Sequence, residues 1–356
     1  MNGVHLLEEA EHYVAIDNVC AWPCVLRLPA GELVAAVYNK PAHGYGCGDV
    51  DLYVSSDDGR FWSRRSAISD HADAPEHVRM NHALGLNARG ELVALVSGYH
   101  AGRALPFLPT QVCISADGGH TWQRSIWNQE PAERRVPFGP IILGPGPLLT
   151  AAIYDCDPAT GVFQAYTIRS RDHGRTWGDR ALLARGFNEV ALLRLRDGRF
   201  IAAGRTPLDR AEFAIGTSER LHLLRSPDGR DWEVDPNPLT MQGQHPGHLL
   251  ELQDGRLLLT YGSRIVGLHG VGARLSADGG RSWSLARLLV AAPGPMDCGY
   301  PSSVELPDGT IVTAYYAGPA YWVQDAVRHT MPWHRRYHMA VCRWRPGGFE
   351  FLTHPG

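Results

Sequence analysis

Long apolar runs are missing from this 356-residue chain: no stretch of 18 apolar residues exists, so no segment has the length of a membrane-spanning helix. An excess of one charge is missing too. A formal net charge of −3, from 34 basic and 37 acidic residues, gives no global field that would draw the chain to nucleic acid or an anionic membrane. The seven cysteines are odd in number and form no Cys-x-x-Cys pair, which points to free, mostly buried thiols in a reducing compartment. The N-terminus, MNGVHLLEEAEHY, lacks the basic-then-apolar order of a secretory signal, so the expected location is the cytoplasm. Low-complexity linkers and blocks of like charge are absent as well.

What the chain has in abundance is one octapeptide. SSDDGRFW runs from Ser55 to Trp62, SADGGHTW from Ser115 to Trp122, SRDHGRTW from Ser170 to Trp177 and SADGGRSW from Ser276 to Trp283. A shortened copy, SPDGRDW, spans Ser226 to Trp232. Each position suits a tight turn. The Asp accepts backbone N–H bonds across the loop, Gly supplies a positive φ, and Trp adds a large apolar anchor. These carboxylates are therefore read as turn staples and not as catalysts.

The spacing sets the architecture. From Ser55 the copies begin 60, 55, 56 and 50 residues apart. Between them runs a second repeat, an apolar strand opened by a Gly turn: LPAGELVAAVY, LNARGELVALV, LGPGPLLTAAIY, LRDGRFIAAGR, LQDGRLLLTYG and LPDGTIVTAYY. Its six glycines are Gly31, Gly90, Gly146, Gly198, Gly255 and Gly309. Units of this length with four short strands each predict an all-β fold, a six-bladed β-propeller of four-stranded antiparallel blades, as one domain over 1–356. The last unit lacks the octapeptide. Its closing strand is expected at RYHMAVCRW, with HYVAI from the N-terminus pairing beside it.

Ser-x-Asp-x-Gly-x-Thr-Trp, repeated in this way along nearly the whole chain, resembles the Asp boxes of the sialidase (neuraminidase) superfamily. The resemblance implies that the boxes lie on outer turns and that the site lies at the opposite end, where the innermost strands begin. Those strand starts carry Trp22, His82, Phe138, Glu189, His248 and Tyr300. Two match the family specifically. YPSSVELPDG begins at Tyr300 as the family's nucleophile strand does, and NEVALLRLRDGRFIAAGR supplies the partner Glu189 and, sixteen residues on, Arg205. Arg264, closing TYGSR, is a candidate second substrate-binding arginine.

That set suits a sugar bearing a carboxylate at its anomeric carbon. A neutral phenol is not repelled as an anionic nucleophile would be, Glu takes its proton, and arginines hold the carboxylate bidentately. The departures are as informative. Where the family has Arg-Ile-Pro, this chain has Ala21-Trp22-Pro23, so one arginine of the carboxylate-gripping triad is missing. The loop NKPAHGYGCGDVDLY offers His43, Asp49 and Asp51 as candidates for the leaving-group acid without choosing among them. SDHADAPEHVRMNH adds His71, Asp73, His77 and Arg79 as a possible cover over the pocket.

The leading expectation is thus an exo-acting glycoside hydrolase of sialidase type with altered specificity, acting on a terminal acidic sugar. Tyr300, Glu189, His43 and Asp49 are its catalytic candidates; Arg205, Arg264, Trp22, Arg79, His82 and His248 are its substrate-binding candidates. Two alternatives stay open: a lyase on a uronate-containing glycan using Tyr300 and a histidine, and a non-catalytic sugar-binding propeller. Neither HPGH at His245 to His248 nor HRRYH at His334 to His338 sits in a helical context, so no metal and no cofactor is expected. The expected partner is a glycan or oligosaccharide, with no nucleic acid and no membrane. The oligomeric state has no signal in the sequence.

Overall fold

The computed structural model describes residues 5–6, 10–42, 46–71, 74, 76–101, 107–127, 135–157, 159–206, 219–291, 297–318 and 337–351. Every helix or strand among them is a β-strand. The strands form six four-stranded antiparallel units. The innermost strand of each, in chain order, is Cys20–Arg27, His77–Leu86, Val136–Leu143, Asn188–Arg194, Gln244–Glu251 and Gly299–Glu305. Two units join into one longer sheet where Gly139 and Pro140 pair in parallel with Ala83 and Leu84. Each inner strand packs beside the next, and the sixth packs beside the first.

The second strands explain the unbroken apolar repeat seen in the sequence. Leu33–Tyr38 is buried along its whole length. Side chains alternate between faces of a strand, so Leu33, Ala35 and Val37 enter a cluster shared with Val304, Val312 and Val341 of the sixth unit. Val34 and Ala36 turn the other way, against Leu84, Leu92 and Ala94 of the second. A strand covered on both faces has no reason to alternate with polar residues. Such clusters lie between every pair of neighbouring units, including the sixth and the first. Each fully buried Leu or Val in them contributes about 1.5–3 kcal/mol.

The turn chemistry follows the sequence closely. In the first octapeptide Asp57 accepts bonds from Ser55 Oγ at 2.7 Å, Arg60 N at 3.0 Å and Phe61 N at 2.9 Å, while Trp62 Nε1 donates to Gly59 O at 2.9 Å. The six glycines of the second repeat all have positive φ, from 61° to 102°. The N-terminal strand Glu11–Asp17 pairs antiparallel with His338–Trp344 and completes the sixth unit, as expected for HYVAI. One pairing has no sequence signal: His5–Leu6 runs parallel to Arg287 and Leu288, adding a fifth strand to that sheet. None of the seven cysteines forms a disulfide, and five are buried. Among the described residues no helix is long and apolar enough to cross a membrane.

Candidate active site

Every inner strand has a shift in its pairing with the second strand, and in two of them a candidate catalytic residue lies inside the shift. Pairing shifts between Asn188 and Val190 and again between Gly299 and Ser302. The residues inside those shifts, Glu189 and Tyr300, have φ of 41° and 48°. A bulky non-glycine residue rarely holds that conformation, so the surrounding packing must impose it. The result brings the two side chains together. Tyr300 Oη donates to Glu189 Oε1 at 2.6 Å. Arg205, opposite Asn188 on the next strand, donates through Nη1 to Glu189 Oε2 and, at 3.2 Å, to Tyr300 Oη.

Tyr300 and Glu189 are buried, and the Arg205 side chain is 12% exposed. Burial and the neighbouring Glu189 carboxylate push the Tyr300 phenol well above its ordinary value, against the pull of Arg205 and Arg264. The phenol therefore rests protonated. Burial works to discharge Arg205, but Glu189, Tyr300 and Glu219 outweigh it and keep the guanidinium firmly charged.

A further carboxylate stands behind Arg205. Glu219, buried at 2% exposure, accepts a bond from Arg205 Nη2. His245 Nε2 lies 3.3 Å from the other oxygen of Glu219, outside good hydrogen-bonding angles. Burial opposes ionisation of Glu219, yet His245 and Arg205 bring its pKa down to about 2. Burial and the Arg205 charge hold His245 neutral, down to about 3.

On the other flank of the phenol a second ion pair repeats the pattern. Arg264 has its Cζ 5.4 Å from the centre of the Tyr300 ring and donates through Nη2 to Asp297 at 3.4 Å. Tyr316 also donates to Asp297, and Tyr337 does so at 3.2 Å. Trp22 stacks on Tyr300 with ring centres 4.8 Å apart and planes 25° apart. A narrow cavity beneath is walled by Trp22, His82, Phe138, Ala191, His248 and Tyr300.

The strand starts singled out in the sequence are therefore divided. Glu189, Tyr300, Arg205 and Arg264 converge. His82 lies deep, with Nδ1 against Met80 O at 2.9 Å, and burial lowers its pKa. Burial likewise lowers His248, to about 4. Arg79 is buried and donates to the Pro109 carbonyl at 2.8 Å, bracing the backbone of its own unit. Asp49 accepts bonds from Ser69 Oγ at 2.9 Å and from His71 Nδ1. Asp51 is engaged by Arg64 Nε at 2.6 Å and Nη2 at 3.1 Å. His43, Asp73 and His334 lie outside the described residues.

Glu219 and Asp297 are the groups that sequence reasoning missed; Asp49 and His71 were both named there, and only their pairing was not. Glu219 precedes a third strand and Asp297 precedes an inner one, so neither falls at a repeated position. Their only signal is an acidic residue just before an apolar strand. The described residues also bring together one grouping of metal-ligand type, Glu76, His77 and His100, with donor atoms within 4.8 Å of one another. The carboxylate is 4.0 Å from each imidazole, wider than the roughly 3.4 Å that ligands of one tetrahedral ion adopt.

Comparison with known proteins adds a lineage to this geometry. The profile of the BNR repeat-like domain matches residues 31–313. A curated relative, a sialidase from Micromonospora viridifaciens, is 25% identical over 328 residues, covering 83% of this chain. The chain spans about half of that relative's length, 49%. A solved structure of a protein of unknown function from Dyadobacter fermentans matches with a TM-score of 0.73 at 20% identity, over 97% of this chain and 100% of its own. The Trypanosoma rangeli sialidase in complex with sialic acid matches with a TM-score of 0.67 at 14% identity, over 96% of this chain and 60% of its own. The two structural likenesses establish a shared fold.

Proposed function

The chain belongs to the BNR repeat-like domain family of the sialidase superfamily, and from that premise we propose that it is a glycosidase of sialidase type with Tyr300 as nucleophile. The six units are read as blades of one propeller formed by residues 1–356. Support for that reading comes from the apolar clusters between successive units and from the packing of the sixth inner strand beside the first.

The observation that carries the catalytic reading is the contact of Tyr300 with Glu189 at 2.6 Å and with Arg205 at 3.2 Å. In the first step Tyr300 Oη attacks the anomeric carbon while its proton passes to Glu189 Oε1. The glycosidic C–O bond breaks, and the leaving oxygen takes a proton from an acid. We assign that acid to the paired His71 and Asp49. Arg205 stabilises the phenolate character that develops on Tyr300. In the second step water attacks the same carbon and gives a proton to the now deprotonated His71–Asp49 pair, while the Tyr–sugar bond breaks and Glu189 returns its proton to Tyr300 Oη. Two displacements at one carbon give retention of configuration.

Turnover of a panel of aryl glycosides by wild type and Tyr300→Phe tests the reading. Hydrolysis that collapses in the variant, without an unsaturated product absorbing in the ultraviolet, supports it. Full activity in the variant refutes it, and an unsaturated product would indicate a lyase.

A further inference from the structure

Any sugar that reaches Tyr300 also meets the charge set around it. Among the described residues three carboxylates, Glu189, Glu219 and Asp297, stand against two guanidiniums, Arg205 and Arg264, so the sum is 2 − 3 = −1. His245 adds nothing, because it is neutral above about pH 3. Both terminal nitrogens of Arg205 are spent, Nη1 on Glu189 and Tyr300, Nη2 on Glu219. Arg264 leans on Asp297, which is itself fixed by the hydroxyls of Tyr316 and Tyr337. The position where a third arginine would complete a carboxylate clamp is Ala21-Trp22-Pro23, and Trp22 lies flat against Tyr300.

A clamp for a substrate carboxylate needs guanidiniums whose forks are open. Here the Arg205 fork is closed by internal counter-ions, and the Arg264 fork is turned toward one, Asp297, through Nη2, with Nε left unpartnered. A carboxylated sugar would have to displace a carboxylate tied into the protein or settle beside it with like charges opposed, and both routes are unfavourable in a buried site. An uncharged sugar meets neither obstacle. Its C–H faces suit the aromatic surround of Trp22, Tyr300 and Tyr316, and its hydroxyls can donate to the same carboxylates that repel an acid.

We propose that this site selects a terminal uncharged sugar and rejects sialic acid and uronates, with Glu219 and Asp297 as the residues that set the preference. The proposal rests on the reading of the Tyr300 end as a glycan site, and it reverses the acidic substrate expected from the sequence. Arg205 and Arg264 then serve a different purpose, holding Glu189, Glu219 and Asp297 in place.

The test is a calorimetric comparison of methyl glycosides of neutral hexoses and pentoses with N-acetylneuraminate and methyl glucuronide, on wild type and on Tyr300→Phe, alongside kcat/KM for the aryl glycosides. The expected result is that the best neutral sugar binds about 100-fold more tightly than either acid. Asp297→Asn and Glu219→Gln, made separately so that one folding failure does not decide the matter, are each expected to shift the acid-to-neutral ratio at least about tenfold toward the acid. Tighter binding of N-acetylneuraminate, or no preference including no binding of either class, overturns the proposal. Neutral-sugar binding with undiminished turnover in Tyr300→Phe leaves the proposal standing and removes the nucleophile assignment instead. Tyr300-dependent turnover of a sialoside does the reverse.

Discussion

Asp117 and Glu189 are both hydrogen-bonded carboxylates, and they find their partners in opposite ways. Asp117 draws on its own turn: Ser115 Oγ at 2.7 Å, Thr121 N at 2.9 Å and Thr121 Oγ1 at 2.6 Å. Glu189 draws on Tyr300, 111 residues away, and on Arg205 from the neighbouring strand. Backbone strain divides the same way. In the octapeptide turns the positive φ falls on glycines, or on Asp58 and His173, residue types that tolerate it. At the other end it falls on Glu189 and Tyr300, which hold it only because the packed strands leave no alternative. One end is built to fold locally, and the other is built by the completed fold.

Removing the phenol should separate the two ends most sharply. Tyr300→Phe is expected to lower kcat about 10³-fold or more, while urea denaturation shows a stability loss of only about 1–2 kcal/mol. A stability loss large enough to explain the lost activity would erase the distinction. Glu219→Ala should blur it deliberately. The change strips a buried guanidinium of one counter-ion, so we expect about 3–5 kcal/mol of lost stability together with lost turnover. A folded, fully active Glu219→Ala enzyme would show that Arg205 needs no support from behind.

At the turn end the effect should be on stability alone. Gly119 has φ of 92°, and a Cβ there would lie 2.1 Å from Leu52 Cδ2. Gly119→Ala is therefore expected to cost about 1–3 kcal/mol with kcat unchanged, checked by denaturation and steady-state rates on one preparation. A loss of kcat at full folding would couple the ends.

Acid should erode stability gradually. His245 has its pKa lowered by burial to about 3, so the unfolded chain takes a proton near pH 6.5 that the folded chain refuses. Its share of stability is present above about pH 6.5 and drains away as pH falls toward 3. Glu219, held at about 2, acts in the same direction between roughly pH 4.5 and 2. Urea midpoints should fall steadily from pH 7 to pH 3.5. A profile left unchanged by His245→Asn would contradict the assignment.

The same division accounts for what could be read in advance. The octapeptides, the glycine turns and the count of strand units are local patterns, and local patterns survive in sequence; the pairing of HYVAI with His338–Trp344 joins the two ends of the chain and follows from that count. Tyr300, Glu189, Arg205 and Arg264 were legible because they begin or end repeated strands, so the period indicates where to look. Glu219, Asp297 and His71 sit outside that frame. Their partners are chosen by which strands come to lie side by side, a tertiary fact with no local trace. Arg205 and Arg264 illustrate the gap: the guanidiniums are visible in sequence, whereas the carboxylates that pair with them, Glu219 and Asp297, are not.

The most direct test of the central claim, that chemistry resides at Tyr300, is covalent trapping. The protein would be incubated with an activated fluoro-glycoside of its best sugar, digested, and mapped by mass spectrometry. The account predicts one sugar mass added to the peptide containing Tyr300, and none in Tyr300→Phe. An adduct on Glu189, Glu219 or Asp297 would place the nucleophile on a carboxylate and contradict it.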